Sequence, residues 1–171
     1  MKKWIFRILL LTTGVLVIYY FIPEESLPSD LKVDKLVVIK SKRILEAYSN
    51  GQVIKTYTIS LGRNPMGDKQ FEGDKRTPEG NYTINDKNTK SGYHKNLGVS
   101  YPNSEDIIEA KKESLKPGGE IKIHGLRNGI GFIGKFHRLM DWTAGCIALT
   151  DKEVDELYNN VAIGTPIIIR P

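Results

Sequence analysis

The sequence predicts a mainly β domain, a sandwich or barrel with two or three peripheral helices, preceded by one N-terminal transmembrane helix. Short runs rich in β-branched and aromatic residues recur from Lys35 to Arg170, with turn residues between them. Two polar segments begin with helix-capping residues, and an uncharged apolar run lies near the N-terminus. Many short strands with few helices favour a β core with the helices packed outside it.

The apolar run comes first in the chain. Lys2, Lys3 and Arg7 precede the uncharged residues 8–22. Counting from Trp4 gives about the 20 apolar residues that cross a bilayer. A cleaved signal peptide would need small residues at a cleavage site, and no A-x-A-like pattern follows, so an uncleaved anchor is favoured. The basic residues before the run place the N-terminus in the cytoplasm and the rest of this single-pass protein on the periplasmic or cell-wall side.

The chain therefore divides into three parts. We expect an anchor at residues 1–22, a polar tether at residues 23–33 and a single domain at residues 34–171. About 140 residues are enough to bury a hydrophobic core.

Strand signals open the domain. The runs KLVVIKS and RILEAYSNGQVIKTYTISLG alternate in polarity, and Asn50-Gly51 is a strong hairpin signal. Residues 63–80 are rich in glycine, proline and charge, which predicts a long loop, and NYTIND after it returns to strand.

The second half of the domain alternates helices and strands. Asn103 or Ser104 caps a predicted helix through EDIIEAKKESL, and KPGG ends it. The segments EIKIHG, IAL and GTPIIIR are predicted strands. Between the last two, Thr150 and Glu153 form a capping box that opens the helix DKEVDELYNNV.

Charge argues against a nucleic-acid partner. The formal net charge is +5, but three of the 25 Lys and Arg precede the apolar run, which leaves 22 against 20 Asp and Glu. These charges are interspersed, as on a solvated mixed surface. One cysteine and three scattered histidines lack the spacing of metal ligands, and we expect neither a metal nor a cofactor.

Cys146 is the only cysteine, so it makes no disulfide within the chain. It is either a small buried hydrophobe or a nucleophile. A nucleophile needs a base and N–H donors for the oxyanion. Gly145 before it permits a tight turn whose amides are candidate donors. His124 ends an alternating strand directly before Gly125, which makes it the candidate base, whereas His94 and His137 are expected to be solvated loop residues.

Several motifs resemble one family. The combination IHGL, a loop and DWTAGCIALT is similar to the L,D-transpeptidase catalytic domain, whose usual pattern is H-G, a loop and S/T-x-G-C. KRTPEGNYTI and LGVSYPN resemble further segments of that family, and the likeness runs from about Lys35 to Arg170.

The resemblance implies a mostly β fold, a cysteine acyl-enzyme and peptidoglycan stem peptides as substrate. It makes Cys146 the nucleophile and His124 the proton acceptor and donor. Thr143, Gly145 and Gly125 are the matching oxyanion or substrate-binding positions. The resemblance implies that the thiol attacks the amide carbonyl of the L-centre of the third stem-peptide residue, where the family cuts the bond to the terminal D-alanine. An amine or water then releases the acyl group.

Two positions depart from the common S-H-G-C-I-R motif, because Ala144 and Ala148 replace the second histidine and the arginine. The substrate carboxylate therefore lacks its usual partner, for which Arg127, Arg138 and Arg76 are candidates. The TAGCIA variant resembles a branch that includes a hydrolase releasing lipoprotein from murein, so both transpeptidation and hydrolysis stay open. Asp141 is a weaker candidate for orienting a histidine.

Two other functions fit part of the pattern. A sortase is also an anchored β-barrel cysteine transpeptidase with a T-x-x-C motif, but it keeps its histidine far upstream and an arginine downstream, and here no arginine follows Cys146 until Arg170. The second alternative is a wall-binding module without catalytic activity.

Overall fold

The chain forms one curled, mixed eight-stranded sheet in a computed structural model that describes residues 1–28 and 31–171. The strands are β1 (Lys35–Ile39), β2 (Ile44–Ser49), β3 (Gln52–Thr58), β4 (Gly80–Ser91), β5 (His94–Val99), β6 (Lys122–His124), β7 (Ile147–Ala148) and β8 (Pro166–Arg170). The helices are α1 (Lys2–Phe21), α2 (Ser104–Lys112) and α3 (Asp151–Asn160), with 3₁₀ segments at Lys40–Lys42 and Gly131–Leu139. The predicted mainly β domain with peripheral helices and a preceding apolar helix is confirmed.

The strand order is β3-β2-β1-β8-β4-β5-β6-β7. The pairs β1–β8 and β6–β7 are parallel, and the other neighbours are antiparallel. The predicted hairpin joins β2 to β3, because Asn50 and Gly51 both adopt positive φ, of 50° and 76°. The two capping residues also act as predicted: Asn103 caps α2 and Thr150 caps α3, each in a capping box.

The sheet curls until its two edges meet. Past the end of β3, the Ser60 amide donates to the Ala148 carbonyl of β7 at 3.0 Å, and the Ala148 amide donates to the Ser60 carbonyl at 2.8 Å. Long β4 supports this curl, since its first half pairs with β8 and its second half with β5, with irregular register at two points. The closure brings residues that follow β3 against the segment that carries Cys146.

The hydrophobic core lies inside the curled sheet and under α3. Its fully buried members come from most strands and from one face of the helix, and include Leu36, Leu45, Tyr57, Ile84, Leu97, Ile123, Ile147, Val154 and Leu157. Leu27 and Val33 of the expected tether also join this core. Ser29 and Asp30, in the same expected tether, lie outside the described residues.

The sequence analysis missed three elements, which are β5 and the two 3₁₀ segments, the first of which ends the predicted strand run KLVVIKS at Ile39. The run HKNLGV has little alternation, yet it forms β5 because β4 and β6 flank it and satisfy its backbone hydrogen bonds. Residues 131–139 form 3₁₀ turns around Gly134, which has a φ of 49°. This segment packs against the C-terminal end of α1.

The predicted loop at residues 63–80 is confirmed except that its last residue, Gly80, begins β4, and a buried lysine fixes the position of the loop. The Lys40 ammonium, only 2% exposed, donates to the Gly67 carbonyl at 2.6 Å, the Thr77 carbonyl at 2.8 Å and the Glu79 carboxylate at 2.8 Å. A second ion pair joins Lys69 to Asp74 at 2.7 Å within the loop. These contacts hold the Arg76 backbone against the turn that precedes Cys146.

Candidate active site

His124, the last residue of β6, and Cys146, which directly precedes β7, line one cleft of about 600 Å³. The two strands are parallel neighbours, with His124 opposite Ala148. Cys146 directly precedes β7, two residues before Ala148, and its side chain borders the same cleft as the imidazole. The structure therefore brings together the two residues that the sequence predicted as nucleophile and base.

A single hydrogen bond defines the tautomer of His124. Its Nδ1 lies 2.6 Å from the Gly125 carbonyl, which only accepts, so Nδ1 carries the proton and donates it. Nε2 is then the unprotonated nitrogen of the neutral ring. The side chain is buried, and this burial lowers the pKa of His124 from its usual value of 6.5, against the opposing effect of the Gly125 hydrogen bond. The imidazole is thus neutral at physiological pH and available as a base.

The thiol of Cys146 is also neutral. Burial raises its pKa above the usual value of 9.0, although the Lys122 backbone and ammonium act in the opposite direction. Its Sγ donates to the Glu120 carbonyl at 3.5 Å, and among the described residues no hydrogen bond joins it to His124. The resting pair is therefore thiol and imidazole, so the proton must move when the sulfur attacks.

The turn before Cys146 depends on Thr143 and Gly145. The Thr143 hydroxyl accepts from the Gly145 amide at 3.1 Å and donates to the Cys146 carbonyl at 2.7 Å. Gly145 has a φ of 136°, and a Cβ there would lie 2.7 Å from the Arg76 carbonyl oxygen. Only glycine fits this close approach without a backbone shift.

The amides near the thiol differ in whether they are already hydrogen-bonded or could donate to an oxyanion. The Gly145 amide is already bonded to Thr143, and the Gly125 amide donates to the Lys95 carbonyl at 3.3 Å. The Cys146 amide, in contrast, donates to no group within residues 1–28 and 31–171. Within the described residues the Cys146 N–H is therefore an unpaired donor beside the thiol, while Thr143, Gly145 and Gly125 shape the site through their backbone and hydroxyl contacts.

Two aromatic residues with no role assigned from the sequence flank the base. The ring centroid of Tyr93 lies 4.7 Å from that of His124, and the ring of Trp142 lies 5.7 Å away, edge-on. Both line the cleft. Trp142 stands inside the DWTAGC motif, so its position was a usable signal, whereas Tyr93 follows β4 in a turn that the sequence did not connect to His124.

The other two histidines differ from the expectation of solvated loop residues. His137 is buried 6.5 Å (ring to ring) from Trp142, and burial lowers the pKa of His137 to about 4. Its Nδ1 lies 3.1 Å from the Ser60 hydroxyl. His94 is half-buried, with Nε2 2.9 Å from the Asp155 carboxylate. Tertiary packing overrides the polar sequence around both residues.

The three arginines predicted as partners of the substrate carboxylate do not line the cleft. Arg138 pairs with Glu24 at 2.6 Å and Glu153 at 2.7 Å, and Arg76 donates to the Asp68 carbonyl at 3.1 Å. Arg127 is exposed and is not among the residues lining the cleft. The cations that do line the cleft are Arg63, Lys75, Lys90 and Lys122.

Asp141 does not orient a histidine. Its carboxylate pairs with Arg43 at 2.9 Å and accepts from the Leu61 amide at 2.8 Å. It therefore fixes the loop before Trp142 to the segment after β3. In the part of the chain that the structure describes, no group of three or more His, Cys, Asp or Glu is arranged to hold a metal ion.

Comparison with known proteins identifies the family of this domain. The model of the YkuD family, described as the L,D-transpeptidase catalytic domain, matches residues 34–169. The chain belongs to this family. The match confirms the resemblance inferred from the H-G and T-A-G-C motifs, and it covers nearly the whole of the predicted domain. It sets aside the sortase alternative.

Relatives of this L,D-transpeptidase-family chain are longer proteins. YafK of Escherichia coli K12, which carries a provisional L,D-transpeptidase name, is 27% identical over 130 residues, 72% of this chain and 45% of YafK. The helical cell shape determining protein Pgp2 from Campylobacter jejuni is 27% identical with a TM-score of 0.60, over 82% of this chain and 48% of Pgp2. An L,D-transpeptidase from Mycobacterium tuberculosis shares the fold, with 18% identity and a TM-score of 0.51. The chain spans about half the length of YafK and Pgp2.

Proposed function

We propose that this chain is a membrane-anchored enzyme that acts on peptidoglycan stem peptides through an acyl-enzyme on Cys146, with His124 as proton acceptor and donor. The observation that carries the proposal is that one cleft is lined by both Cys146 and His124, whose Nδ1 is engaged by the Gly125 carbonyl so that Nε2 is the unprotonated ring nitrogen. Membership of the L,D-transpeptidase family supports the reaction class. The cell-shape role of Pgp2 supports a function in the cell wall.

The first step joins attack and proton transfer. The Cys146 sulfur attacks the amide carbonyl of the L-centre of the third stem-peptide residue while His124 Nε2 takes the thiol proton. The Cys146 N–H is the candidate donor to the oxyanion. The imidazolium then protonates the leaving amine, so the C–N bond breaks and an acyl thioester forms. Because both groups start neutral, no charge pair has to be maintained in the buried resting site.

The cleft suits an anionic peptide. Arg63 and Lys122 lie on its wall, and the Arg63 guanidinium is oriented by donating to the Trp142 carbonyl at 3.1 Å. Lys122 pairs with the exposed Glu120 at 2.7 Å. With Ala148 fully buried and Ala144 short, we propose that such cleft cations receive the stem-peptide carboxylate in place of the motif's usual arginine.

We further propose that water releases the acyl group at least as readily as an amine does. Ala144 borders the cleft and is exposed, so this position offers only a methyl group where a larger side chain would steer an incoming amine. The product of a hydrolase is tripeptide, and that of a transpeptidase is a 3-3 crosslinked dimer.

The N-terminal helix supports the anchor. Helix α1 is 20 residues long, its apolar window has a mean hydropathy of 1.8, and no residue of that window is buried. A signal sequence passes the same test, and the proposal is that this helix stays attached and holds the domain on the outer side of the membrane.

The test uses the full chain in detergent with purified disaccharide tetrapeptide, and mass spectrometry of the products. We expect tripeptide with little dimer, and a carbapenem adduct on the intact protein. Cys146→Ala should abolish both signals, and His124→Gln should slow both by about 10²- to 10⁴-fold. His137→Gln is the matched control and should retain most activity. Dimer as the main product would refute the hydrolase version alone, and turnover by Cys146→Ala would refute the acyl-enzyme. A folded protein that neither turns over nor labels would favour the wall-binding alternative.

A further inference from the structure

Residues 130–140, here called the juxtamembrane loop, expose an unusual amount of apolar surface. Phe132 is 74% exposed, Leu139 69% and Met140 68%, and Ile130 is also exposed. Clustered apolar side chains on a protein surface mark a contact with a partner or a membrane. Trp142 and Cys146, which line the cleft, follow this loop two and six residues later in the chain.

The same loop packs against the C-terminal end of α1. The Tyr20 hydroxyl donates to the Phe132 carbonyl at 2.7 Å. The Phe136 ring lies 5.4 Å from that of Tyr20 and 6.1 Å from that of Tyr19. Gly134 allows this packing, because a Cβ there would approach the Tyr20 ring to 3.0 Å.

The position of α1 in a membrane then sets the depth of the loop. An α-helix of 20 residues is about 30 Å long, which matches the hydrocarbon thickness of a bilayer. If α1 spans the membrane, Tyr19 and Tyr20 lie at the outer boundary, where tyrosine is enriched. Phe136, in contact with both rings, lies at the same level.

The polar side chains of the loop all turn toward protein. Lys135 donates to the Tyr19 and Ile22 carbonyls at the end of α1. Arg138 pairs with Glu24 and Glu153 and has a side chain only 5% exposed, and His137 is buried. The outward face is therefore left to apolar groups, the reverse of a water-facing loop.

We propose that the juxtamembrane loop inserts Phe132, Leu139 and Met140 into the headgroup–acyl boundary of the outer leaflet of the bilayer that α1 crosses. The proposal rests on the proposed membrane anchor. Apolar and aromatic side chains beside a membrane-spanning helix suit this boundary, where their burial is favourable. Two attachments, α1 and the loop, then fix the orientation of the cleft relative to the membrane surface.

The test places a fluorescent label at single cysteines in the full chain with Cys146→Ala, reconstituted at one copy per nanodisc of phosphatidylethanolamine and phosphatidylglycerol. Phe132→Cys and Met140→Cys report on the loop. Met66→Cys is the matched control, because Met66 is 74% exposed and lies in the 63–80 loop. Leu11→Cys, in the middle of α1, reports on the anchor. Quenching by lipids with nitroxide groups near the headgroup or deeper in the chain is measured for each label.

We expect shallow nitroxide lipids to quench labels at 132 and 140 at least about twofold more strongly than the label at 66, and deep ones to quench the label at 11. Equal quenching at 66, 132 and 140, with strong quenching at 11, would overturn the loop proposal and leave the anchor standing. No quenching at 11 would overturn both. A second preparation holds two copies per disc; quenching at 132 and 140 that is weak with one copy and is lost with two would assign the surface to a second copy and also overturn the proposal.

Discussion

Replacing Gly145 with alanine tests how the active-site turn is built. At a φ of 136° an alanine is strained by about 1 to 3 kcal/mol. Its Cβ would also lie 2.7 Å from the Arg76 carbonyl oxygen and 3.2 Å from Ile121 Cδ1, where ordinary contact begins near 3.4 Å. The loop that carries Arg76 is held by buried Lys40, so relief requires a backbone shift, which costs about 1 to 3 kcal/mol more. The expected loss of stability is about 2 to 6 kcal/mol in total.

Gly164→Ala is the matched control. Gly164 has a φ of 90°, but a Cβ there would have nothing within 4 Å, so this variant carries the strain without the collision. The assay is thermal unfolding of the full chain in detergent, where each kcal/mol lowers Tm by about 2 to 4 °C for a chain of this size. Gly145→Ala should lower Tm clearly more than Gly164→Ala does.

The same pair of variants separates stability from geometry. At a temperature where both are folded, carbapenem acylation of Cys146 should slow markedly in Gly145→Ala and stay near the wild-type rate in Gly164→Ala. If Gly145→Ala loses no more stability than Gly164→Ala and labels at the normal rate, the close packing of the turn on Arg76 is not what shapes the site.

Three further predictions concern neighbouring contacts. Thr143→Val removes the hydroxyl that bonds to Gly145 and Cys146, so it should lower the free energy of unfolding by about 1 to 3 kcal/mol and slow the acylation of Cys146, whereas Thr143→Ser should be close to wild type. An unchanged acylation rate in the valine variant would contradict this role of the hydroxyl. Because burial lowers the pKa of His124, the imidazole stays unprotonated down to mildly acidic pH, and the acylation rate should fall only as the pH drops through a midpoint below 6.5. A midpoint above 6.5 that disappears in a His124 variant would contradict the buried neutral imidazole. Lys40→Met leaves the Glu79 carboxylate without its partner and should lower the free energy of unfolding by about 2 to 4 kcal/mol, less than for a fully buried pair because Glu79 is 19% exposed. Adding Glu79→Gln should recover part of this loss; no recovery would mean that the loss comes from the carbonyl contacts of Lys40.

Local chemistry explains why so much of the fold could be predicted. Asn50-Gly51 favours the positive φ values that a two-residue hairpin needs, and Thr150 with Glu153 satisfies the first amides of α3, so these elements need no distant partner to be recognised. Short runs rich in β-branched residues identified β1, β2, β3 and β8 for the same reason. HKNLGV carries no such pattern, and β5 exists only because β4 and β6 hydrogen-bond to it from either side.

The active site also combines features that local sequence patterns predict with features that depend on tertiary contacts. The candidate nucleophile and base could be predicted from the sequence, because a single cysteine after T-A-G and a histidine directly before a glycine are local patterns. The His124 tautomer depends on how its ring turns toward the Gly125 carbonyl, and the neutral state of the thiol and the burial of His137 depend on groups far away in sequence, so these features required the folded structure. Other contacts likewise arise where folding brings separate segments together: Arg76 against Gly145, the aromatic rings beside His124, and the apolar loop against α1. The hydrophobic effect and the satisfaction of hydrogen bonds drive this folding, and they act on the whole chain and not on any short motif.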